Sequence, residues 1–334
     1  MSRATRFTAA TAALVASVAG LATTGCDSQA DARQPVKLRL SFTATGMESP
    51  WVYAKDHTMA DAGIDLTVNE GKGSAVTAQT VGNGSDDCGI VDAGTWLTLA
   101  SKGIAAKAVL SVYAQNTLAV LSPAGSPIAS PADLEGKGLA ITAGDGPSTL
   151  LPVLMKLNDV DAKKVELVNM QPGPKLTSLA TGKVDGVVTN SVVAPGLAAK
   201  GVETKALMYW DYGVHTPGFY MVCSDKFLAK KDVATDFVHA AQKTLEAALE
   251  HPDAVAKSFS EQDKYNDDLA VAELKSVLGS MPSSDASAPL GSISEETLAT
   301  ALKILTDVGQ IKDPKSFDDY ATNDFLDEGV KRPN

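Results

Sequence analysis

From Val36 onward, short runs rich in valine, isoleucine and leucine alternate with segments of helical spacing that open on Gly, Ser, Asp or Asn. This alternation is typical of an α/β fold with mainly parallel sheets. It predicts strands at VKLRLSF, IDLTVNE, CGIVD and AKAVLSVY, and helices at SPWVYAKDHTMADAG, SAVTAQTVG and GTWLTLASKG. Ligands of open parallel sheets bind outside the carboxyl ends of the strands, so the loops there are the candidates for function.

The chain also contains a loose internal repeat. The stretch from Ile64 to Thr95 aligns with the stretch from Val165 to Val193, and each has a strand, a Gly-containing loop, a helix followed by Gly-x-x-Asp, and a second strand. Two similar α/β lobes are predicted, although α/β units resemble one another in general. From Asp225 to Glu328 the pattern changes to amphipathic helices, for which we expect a structural role.

Eight mostly polar loops follow the predicted strands of the two lobes and predict a cleft between them. Each loop has a structural explanation too, since Ser74, Thr95 and Ser191 are ordinary N-cap residues and Trp51 could belong to the core. The candidate ligand-binding residues are Glu48, Ser49, Trp51, Gly73, Ser74, Asp92, Ala93, Thr95, Gln115, Asn116, Gly144, Asp145, Ser148, Thr149, Asn190, Ser191, Trp210, Asp211 and Tyr212.

Catalytic motifs are incomplete. The run Gly71-Lys72-Gly73-Ser74 lacks the spacing of a phosphate-binding P-loop, and the sequence contains no G-x-S-x-G nucleophile elbow. The four histidines are scattered, and no His, Cys and carboxylate group has metal-ligand spacing. We therefore predict no catalytic residue, no metal and no cofactor.

The N-terminus has the pattern of an export signal, with Arg3 and Arg6 before an apolar run and small residues up to Cys26. Residues 1–25 are predicted to be a signal peptide and 26–35 a tether. The ending ATTGC resembles a bacterial lipobox, which implies a lipid on Cys26; an ordinary signal peptide is the alternative. Cys88 and Cys223 then remain in a compartment that permits a disulfide.

Charge limits the possible partners. The net charge of −11 argues against nucleic acid and anionic membrane as partners. No arginine occurs between Arg39 and Arg332, so the body of the chain has no guanidinium group with which to bind an anion in bidentate fashion.

The segment from Ser49 to Gly94, SPWVYAKDHTMADAGIDLTVNEGKGSAVTAQTVGNGSDDCGIVDAG, resembles the first lobe of the nitrate/sulfonate/taurine/thiamine-precursor family of ABC-transporter solute-binding proteins. PIASPADLEGKGLAIT resembles the family's entry to the second lobe, and DYGVHTPGFYMVCSDKFL the return to the first. The likeness covers residues 38–228. His57-Thr58-Met59 and Cys88 depart from the family pattern, which bears on the branch more than on the fold.

The resemblance implies a type II periplasmic-binding-protein fold, with residues 36–120 and 217–334 in lobe 1 and 121–216 in lobe 2. It implies a monomer that is exported, anchored by its lipid on the outer face of the cytoplasmic membrane, and that delivers a small solute to the permease and ATPase of an ABC importer. It also places Cys223 beside Cys88, which predicts a disulfide.

A neutral or cationic solute is favoured, because the cleft loops and the second crossover contain Lys72 and His215 but no arginine, against the carboxylates Glu48, Asp92, Asp145 and Asp211. Our hypothesis is a thiamine-precursor-like pyrimidine, stacked by Trp51 and Trp210 and hydrogen-bonded by Asp92 and Asp211. Alternatives are a sulfonate, taurine or nitrate, an enzyme of the pyrimidine-synthase or menaquinone-pathway type on the same fold, and a binding lobe that serves a sensor.

Overall fold

The computed structural model describes residues 33–263, 265–281 and 287–333, without the side chains of 260–263. The predicted signal peptide, Cys26 and the tether up to residue 32 lie outside the described residues. No described helix has the length and apolarity that a membrane span requires.

The first sheet of the described chain has five strands in the order β2-β1-β3-β10-β4. The strands β1, β2 and β3 are parallel to one another, whereas β10 runs antiparallel to its neighbours β3 and β4. The strand bounds are β1 Gln34–Arg39, β2 Ile64–Asn69, β3 Cys88–Asp92, β4 Ala106–Ser111 and β10 Phe219–Ser224.

The second sheet repeats this arrangement in the order β7-β6-β8-β5-β9. Here β6, β7 and β8 are parallel, and β5 is the antiparallel strand between β8 and β9. The bounds are β5 Leu118–Pro123, β6 Gly138–Ile141, β7 Glu166–Asn169, β8 Gly186–Asn190 and β9 Thr204–Met208. The two sheets therefore share one strand order, which confirms the expected two-lobed α/β fold.

Helices cover both sheets, and those after β10 form the predicted helical segment. In α9, Phe237, Ala241 and Leu245 recur at helical spacing and are fully buried, as the amphipathic pattern predicts. The bounds are α1 Ser49–Asp56, α2 Thr58–Asp61, α3 Ser74–Gly82, α4 Ala93–Ala100, α5 Gly146–Leu157, α6 Pro172–Ala180, α7 Ala194–Ala198, α8 Asp225–Leu228, α9 Lys231–Glu250, α10 Pro252–Asp263, α11 Asp267–Leu278, α12 Glu295–Asp307 and α13 Phe317–Tyr320.

The predicted disulfide between Cys88 and Cys223 is present. Antiparallel pairing of β3 with β10 sets the two cysteines directly opposite each other, and both are fully buried. The bond therefore joins the strand that returns from the second sheet to the centre of the first sheet.

Two predicted elements end earlier than the sequence suggested. Strand β1 stops at Arg39, not at Phe42, so residues 41–43 belong to the following loop. The predicted helix over 49–63 is two helices, which are separated by His57 with φ −123° and ψ −101°. The first difference matters for the site, because it releases three residues into the cleft.

Candidate functional site

A cavity of about 220 Å³ lies between the two sheets, at the carboxyl ends of β1 and β8. The first sheet's side of the wall is formed by the loop after β1 and the short 3-10 helix Gly46–Glu48. The second sheet's side is formed by the start of α6, the end of β8 and the 3-10 helix Ser191–Val193. The lining residues are Ser41, Phe42, Thr43, Thr45, Met47, Glu48, Pro172, Gly173, Lys175, Leu176, Thr189, Asn190, Val192 and Val193.

A second, smaller cavity of about 40 Å³ shares five of these residues. It adds Ser74 at the start of α3, Phe219 at the start of β10, and three residues at the start of α5: Asp145, Gly146 and Pro147. Phe42, Lys175 and Asn190 are among the residues that form walls of both cavities. We call their joint lining the cleft.

Lys175 and Asp145 form a buried ion pair in the cleft wall. The Nζ of Lys175 lies 2.8 Å from Oδ2 of Asp145 and donates to the carbonyl oxygen of Val188 at the same distance. Oδ1 of Asp145 accepts the backbone N–H of Ser148 at 2.7 Å and so caps α5. Because both of its strong contacts are internal, the Lys175 ammonium is already neutralised before any solute enters.

Glu48 contributes the other carboxyl group of the cleft. Its side chain is only 3% exposed, and Oε2 accepts the backbone N–H of Thr45 at 3.0 Å and the Thr45 hydroxyl at 2.8 Å. Burial raises the pKa of Glu48 to about 7, with a smaller contribution from the negative charge of Glu273. Glu48 is therefore a carboxyl group whose charge changes near neutral pH.

Beside the cleft, the two lobes are in direct contact where Gly73 and Ala75 meet Gly144; we call this contact the seam. The backbone N–H of Ala75 donates to the carbonyl oxygen of Gly144 at 3.1 Å. Gly73 has φ +119°, and a Cβ placed on it would lie 2.6 Å from that same oxygen. A glycine is thus required at 73 by both its conformation and the approach of the second lobe.

Asp92 lies in this seam and not in the cleft. It is fully buried, its Oδ1 caps α4 by accepting the N–H of Thr95 at 2.8 Å, and its Oδ2 has no hydrogen-bond partner among the described residues. Burial raises its pKa to about 7, with a smaller contribution from the negative charge of Asp145. A Cβ added at Gly146 would lie 2.7 Å from the Cβ of Asp92, which shows how tightly the lobes pack here.

Of the sequence-predicted site residues, four line the cleft: Glu48, Ser74, Asp145 and Asn190. Gly73, Gly144 and Asp92 lie in the seam beside it. Ser148 and Thr149 bond to the chain just before their own helix: Oγ of Ser148 accepts the N–H of Thr142, which follows β6, and Oγ1 of Thr149 donates to the carbonyl of the N-cap residue Asp145. Ala93, Thr95 and Ser49 are fully buried, and Gln115 and Ser191 are half-buried outside the lining.

The two tryptophans predicted to stack on the solute, Trp51 and Trp210, do not line the cleft. Trp51 is 2% exposed and packs in the hydrophobic core of the first sheet, because α1 turns that face inward. Trp210 packs against the ring of His215, with centroids 4.8 Å apart, and Asp211 beside it is exposed. The hydroxyl of Tyr212 donates to the carbonyl of Ala129. The aromatic rings of the cleft are instead Phe42 and Phe219.

Asn116 holds the two connections between the lobes together. Its Nδ2 donates to the carbonyl oxygens of Val214 at 2.7 Å and Thr216 at 3.1 Å. These residues belong to the segment that leads back to β10, while Asn116 precedes β5. The residue is therefore a brace of the connection, which sequence alone did not separate from a ligand contact.

Lys175 and Phe42 are the two main cleft residues that sequence reasoning missed. Lys175 lies inside a predicted helix, where a lysine usually faces solvent, and only the tertiary fold turns it toward Asp145. Phe42 is the last residue of the predicted strand VKLRLSF, whereas β1 ends three residues earlier, at Arg39. A polar pattern at Ser41 and Thr43 is the signal that could have marked the end of the strand.

The chain matches one protein family over most of its length. The model of the family described as NMT1/THI5 like matches residues 52–255, more than half of the chain. A search of curated proteins finds no match.

Solved structures match over most of the chain. They include the alkanesulfonate-binding protein SsuA from Xanthomonas axonopodis pv. citri bound to MOPS, at 15% identity and a TM-score of 0.65 over 85% of this chain and 95% of that one. The periplasmic aliphatic sulphonate-binding protein SsuA from Escherichia coli matches at 12% identity and a TM-score of 0.67, covering 86% and 92%. The periplasmic nitrate-binding protein NrtA from Synechocystis PCC 6803 matches at 10% and 0.68, covering 88% and 87%. These similarities confirm the periplasmic-binding-protein fold.

Proposed function

We propose that this chain, which belongs to the NMT1/THI5-like family, is the extracytoplasmic solute-binding component of an ABC importer. The observation that carries the proposal is the cavity of about 220 Å³ between two sheets of equal strand order, which are joined by two connecting segments. Closure of two such lobes around a solute requires no chemical step. The solved structures with this fold include sulfonate- and nitrate-binding proteins.

The same proposal includes the bounds of the two lobes, the location of the protein and its partners. Residues 36–120 and 217–334 form lobe 1, and 121–216 form lobe 2. The chain is exported, is anchored through a lipid on Cys26, and acts as a monomer that presents its solute to a membrane permease with its ATPase.

We propose a small neutral or weakly basic solute. Among the described lining residues, Lys175 is the only basic side chain. Its ammonium group is already paired with Asp145 and hydrogen-bonded to the carbonyl oxygen of Val188. Pro172, the first residue of α6, has no N–H to offer an anion. An anionic solute would therefore lack a free positive charge, and it would also meet Glu48.

The shape and chemistry of the wall favour a flat, partly apolar molecule. Phe42, Met47, Leu176, Val192 and Val193 supply apolar surface on both sides of the cavity. Polar contacts can come from a few side chains at the edge, namely Thr43, Thr45, Glu48, Thr189 and Asn190. A nitrogen heterocycle such as a thiamine-precursor-like pyrimidine fits this pattern, with Phe42 as the stacking ring in place of the tryptophans.

Catalysis is not part of the proposal. None of the described residues that line the cleft is a histidine or a cysteine, and in the described chain no group of three or more His, Cys, Asp or Glu side chains could hold a metal ion. The carboxyl groups present are engaged in capping or in the ion pair, apart from one oxygen of Glu48. Such a wall suits binding and release.

Isothermal titration calorimetry with pyrimidines, polyamines and sulfonates tests the function and the solute class together. We expect a pyrimidine to bind with a dissociation constant in the micromolar range or below, and the sulfonates to give no heat. Binding of a sulfonate alone would contradict the solute class but keep the function. Turnover of a bound pyrimidine, followed by chromatography, would contradict the function as a carrier.

A further inference from the structure

Glu48 presents one unpaired carboxyl oxygen to the cleft. The side chain is 3% exposed and lines the cavity, yet both hydrogen bonds that reach it end on Oε2. In the part of the chain that the structure describes, no other residue forms a hydrogen bond with Oε1; the backbone N–H of Glu48 itself gives the carboxyl group a weak additional contact. Oε1 is not one of the fully buried atoms without a partner, and the side chain lines the cavity, so this oxygen is available to a hydrogen-bonding group of a solute.

The segment that carries Glu48 is held in place from behind. The backbone N–H of Gly46 donates to Oε2 of Glu273 on α11 at 2.7 Å. The hydroxyl of Tyr113 donates to the carbonyl oxygen of Met47 at 3.0 Å. With Thr45 bound to Oε2 as well, the carboxyl group has a fixed position before the solute arrives, as a specific contact requires.

No cation is among the described groups that shift the pKa of Glu48. Glu273 and Tyr265 face it from the C-terminal helices, and Tyr113 faces it from the end of β4. Lys175, across the cavity, is paired with Asp145. Lys200 acts on Glu273 from lobe 2 and lowers the pKa of that carboxyl, which burial raises. Glu48 itself has a pKa raised to about 7 by burial.

We propose that Glu48 is the specificity-determining residue of the cleft and that its free Oε1 forms one hydrogen bond with a ring nitrogen of a weakly basic nitrogen heterocycle. The inference rests on the proposed function and adds that the solute must place a basic ring nitrogen next to Glu48. The carboxyl group and the heterocycle share a single proton across the bond.

Both ways of placing that proton give the same complex. A protonated Glu48 donates its O–H to a neutral ring nitrogen, and an ionised Glu48 accepts the N–H of a protonated ring; the atoms and the net charge are identical. When both partners are protonated, or neither is, the hydrogen bond lacks an acceptor or a donor. Affinity should therefore pass through a maximum near neutral pH and fall on both sides.

The same contact rejects anions. A sulfonate, a nitrate or a phosphate brings only acceptor oxygens to Oε1, and above neutral pH it meets a buried negative charge that no described cation offsets. Repulsion in a desolvated site is a strong means of excluding a solute that otherwise fits. Glu48 thus selects for solutes that can donate or accept a proton.

Calorimetric titration of the full mature chain between pH 5 and 9 tests the proposal. The probes are 4-amino-5-hydroxymethyl-2-methylpyrimidine and the same ring without its amino group, which is a much weaker base. The variants are Glu48→Gln and, as a matched control, Glu203→Gln, which makes the same chemical change at an exposed position of lobe 2.

For the aminopyrimidine we expect a bell-shaped affinity profile in the wild type and in Glu203→Gln. Glu48→Gln should lose about tenfold to a hundredfold in affinity at pH 7, as for a hydrogen bond to a charged group, and should flatten the profile. The weaker base should bind less tightly and without the bell shape. Titration of the wild type in buffers of different ionisation enthalpy should show release of a proton on binding at pH values below the maximum and uptake of a proton above it, and this test does not depend on how the variant folds.

Three results would overturn the inference. If Glu48→Gln and the wild type bind the aminopyrimidine with equal affinity, Oε1 does not contribute a hydrogen bond to the solute. A flat wild-type profile shows that no proton is shared. Binding of a polyamine or a sulfonate instead of the heterocycle removes the inference and leaves solute binding intact. If no compound of the panel binds the wild type, the proposed function fails as well, which separates the two failures.

Discussion

The two lobes have the same strand order but are fastened differently. In lobe 1 the disulfide Cys88–Cys223 joins β3 to the antiparallel strand β10 at the amino end of β3, away from the cleft. In lobe 2 the buried ion pair Lys175–Asp145 joins the starts of α5 and α6, and both residues line the cleft. One fastening is covalent and remote from the solute, and the other is electrostatic and part of the binding wall.

This difference separates stability from binding in one lobe and couples them in the other. A change at the disulfide should alter the free energy of unfolding and leave the cleft unaltered. A change at the ion pair should alter both, because the groups that stabilise lobe 2 also shape the surface that the solute contacts. The comparison can be tested by removing each fastening in turn.

Removal of the disulfide should have the largest effect on stability. The bond closes a loop with a sequence separation of 135, so its loss should lower the free energy of unfolding by about 4 kcal/mol. We expect Cys88→Ala/Cys223→Ala to show this loss in urea denaturation, and reduced wild type to show the same loss. Solute affinity should stay within about twofold of wild type at temperatures where the variant is folded. A loss of affinity larger than the loss of stability explains would contradict the separation.

Removal of the Lys175 ammonium should have the next largest effect. The variant Lys175→Met leaves Asp145 as a buried, unpaired carboxylate, and should lose about 3 kcal/mol of stability. Affinity should fall by about tenfold, since the cleft wall rearranges with the pair. Lys183→Met, at an exposed position of the same lobe, is the control and should change neither property. Recovery of stability in Lys175→Met/Asp145→Asn would confirm the pair as the cause, and an unchanged affinity in Lys175→Met would contradict the coupling.

Replacement of Asp92 in the seam should have the smallest effect, and this effect should appear as a pH dependence of the free energy of unfolding. The pKa of Asp92 is about 7 in the folded chain and lies near 3.8 when the group is unburied. Between these values the folded state holds the extra proton, so the wild type loses stability as the pH rises. We expect the difference in stability between Asp92→Asn and wild type to shift by about 2 kcal/mol in favour of the variant from pH 5 to pH 7. Chemical denaturation at several pH values measures it, and a difference that is constant with pH would contradict the assignment.

The sequence was sufficient for the parts of the fold that local patterns determine. The run CGIVD is a continuous apolar strand and is observed as β3 with the predicted bounds. The family resemblance was sufficient to pair Cys88 with Cys223. By contrast, Trp51 and Trp210 could not be assigned from their positions in loops and helix starts, because a tryptophan serves equally well in a core and in a cleft.

The cleft itself depended on contacts that no local pattern contains. The orientation of Lys175 follows from the position of Asp145, which is 30 residues earlier in the chain. The raised pKa of Glu48 follows from burial beneath α11, whose Glu273 is 225 residues further on. Titratable groups of this kind can be recognised only when the chain segments that bury them are known.

Blocking the cavity tests the central claim most directly. Gly173 lines the cleft, and a Cβ at this position meets no atom within 4 Å, so Gly173→Trp should fill the cavity without disturbing the fold. Gly125 is equally open but lies outside the cleft, and Gly125→Trp is the matched control. Calorimetry with the solute identified by the panel should show no binding to Gly173→Trp and wild-type affinity for Gly125→Trp, with both variants melting near the wild-type temperature. Wild-type affinity of a folded Gly173→Trp would show that the solute does not bind between the lobes.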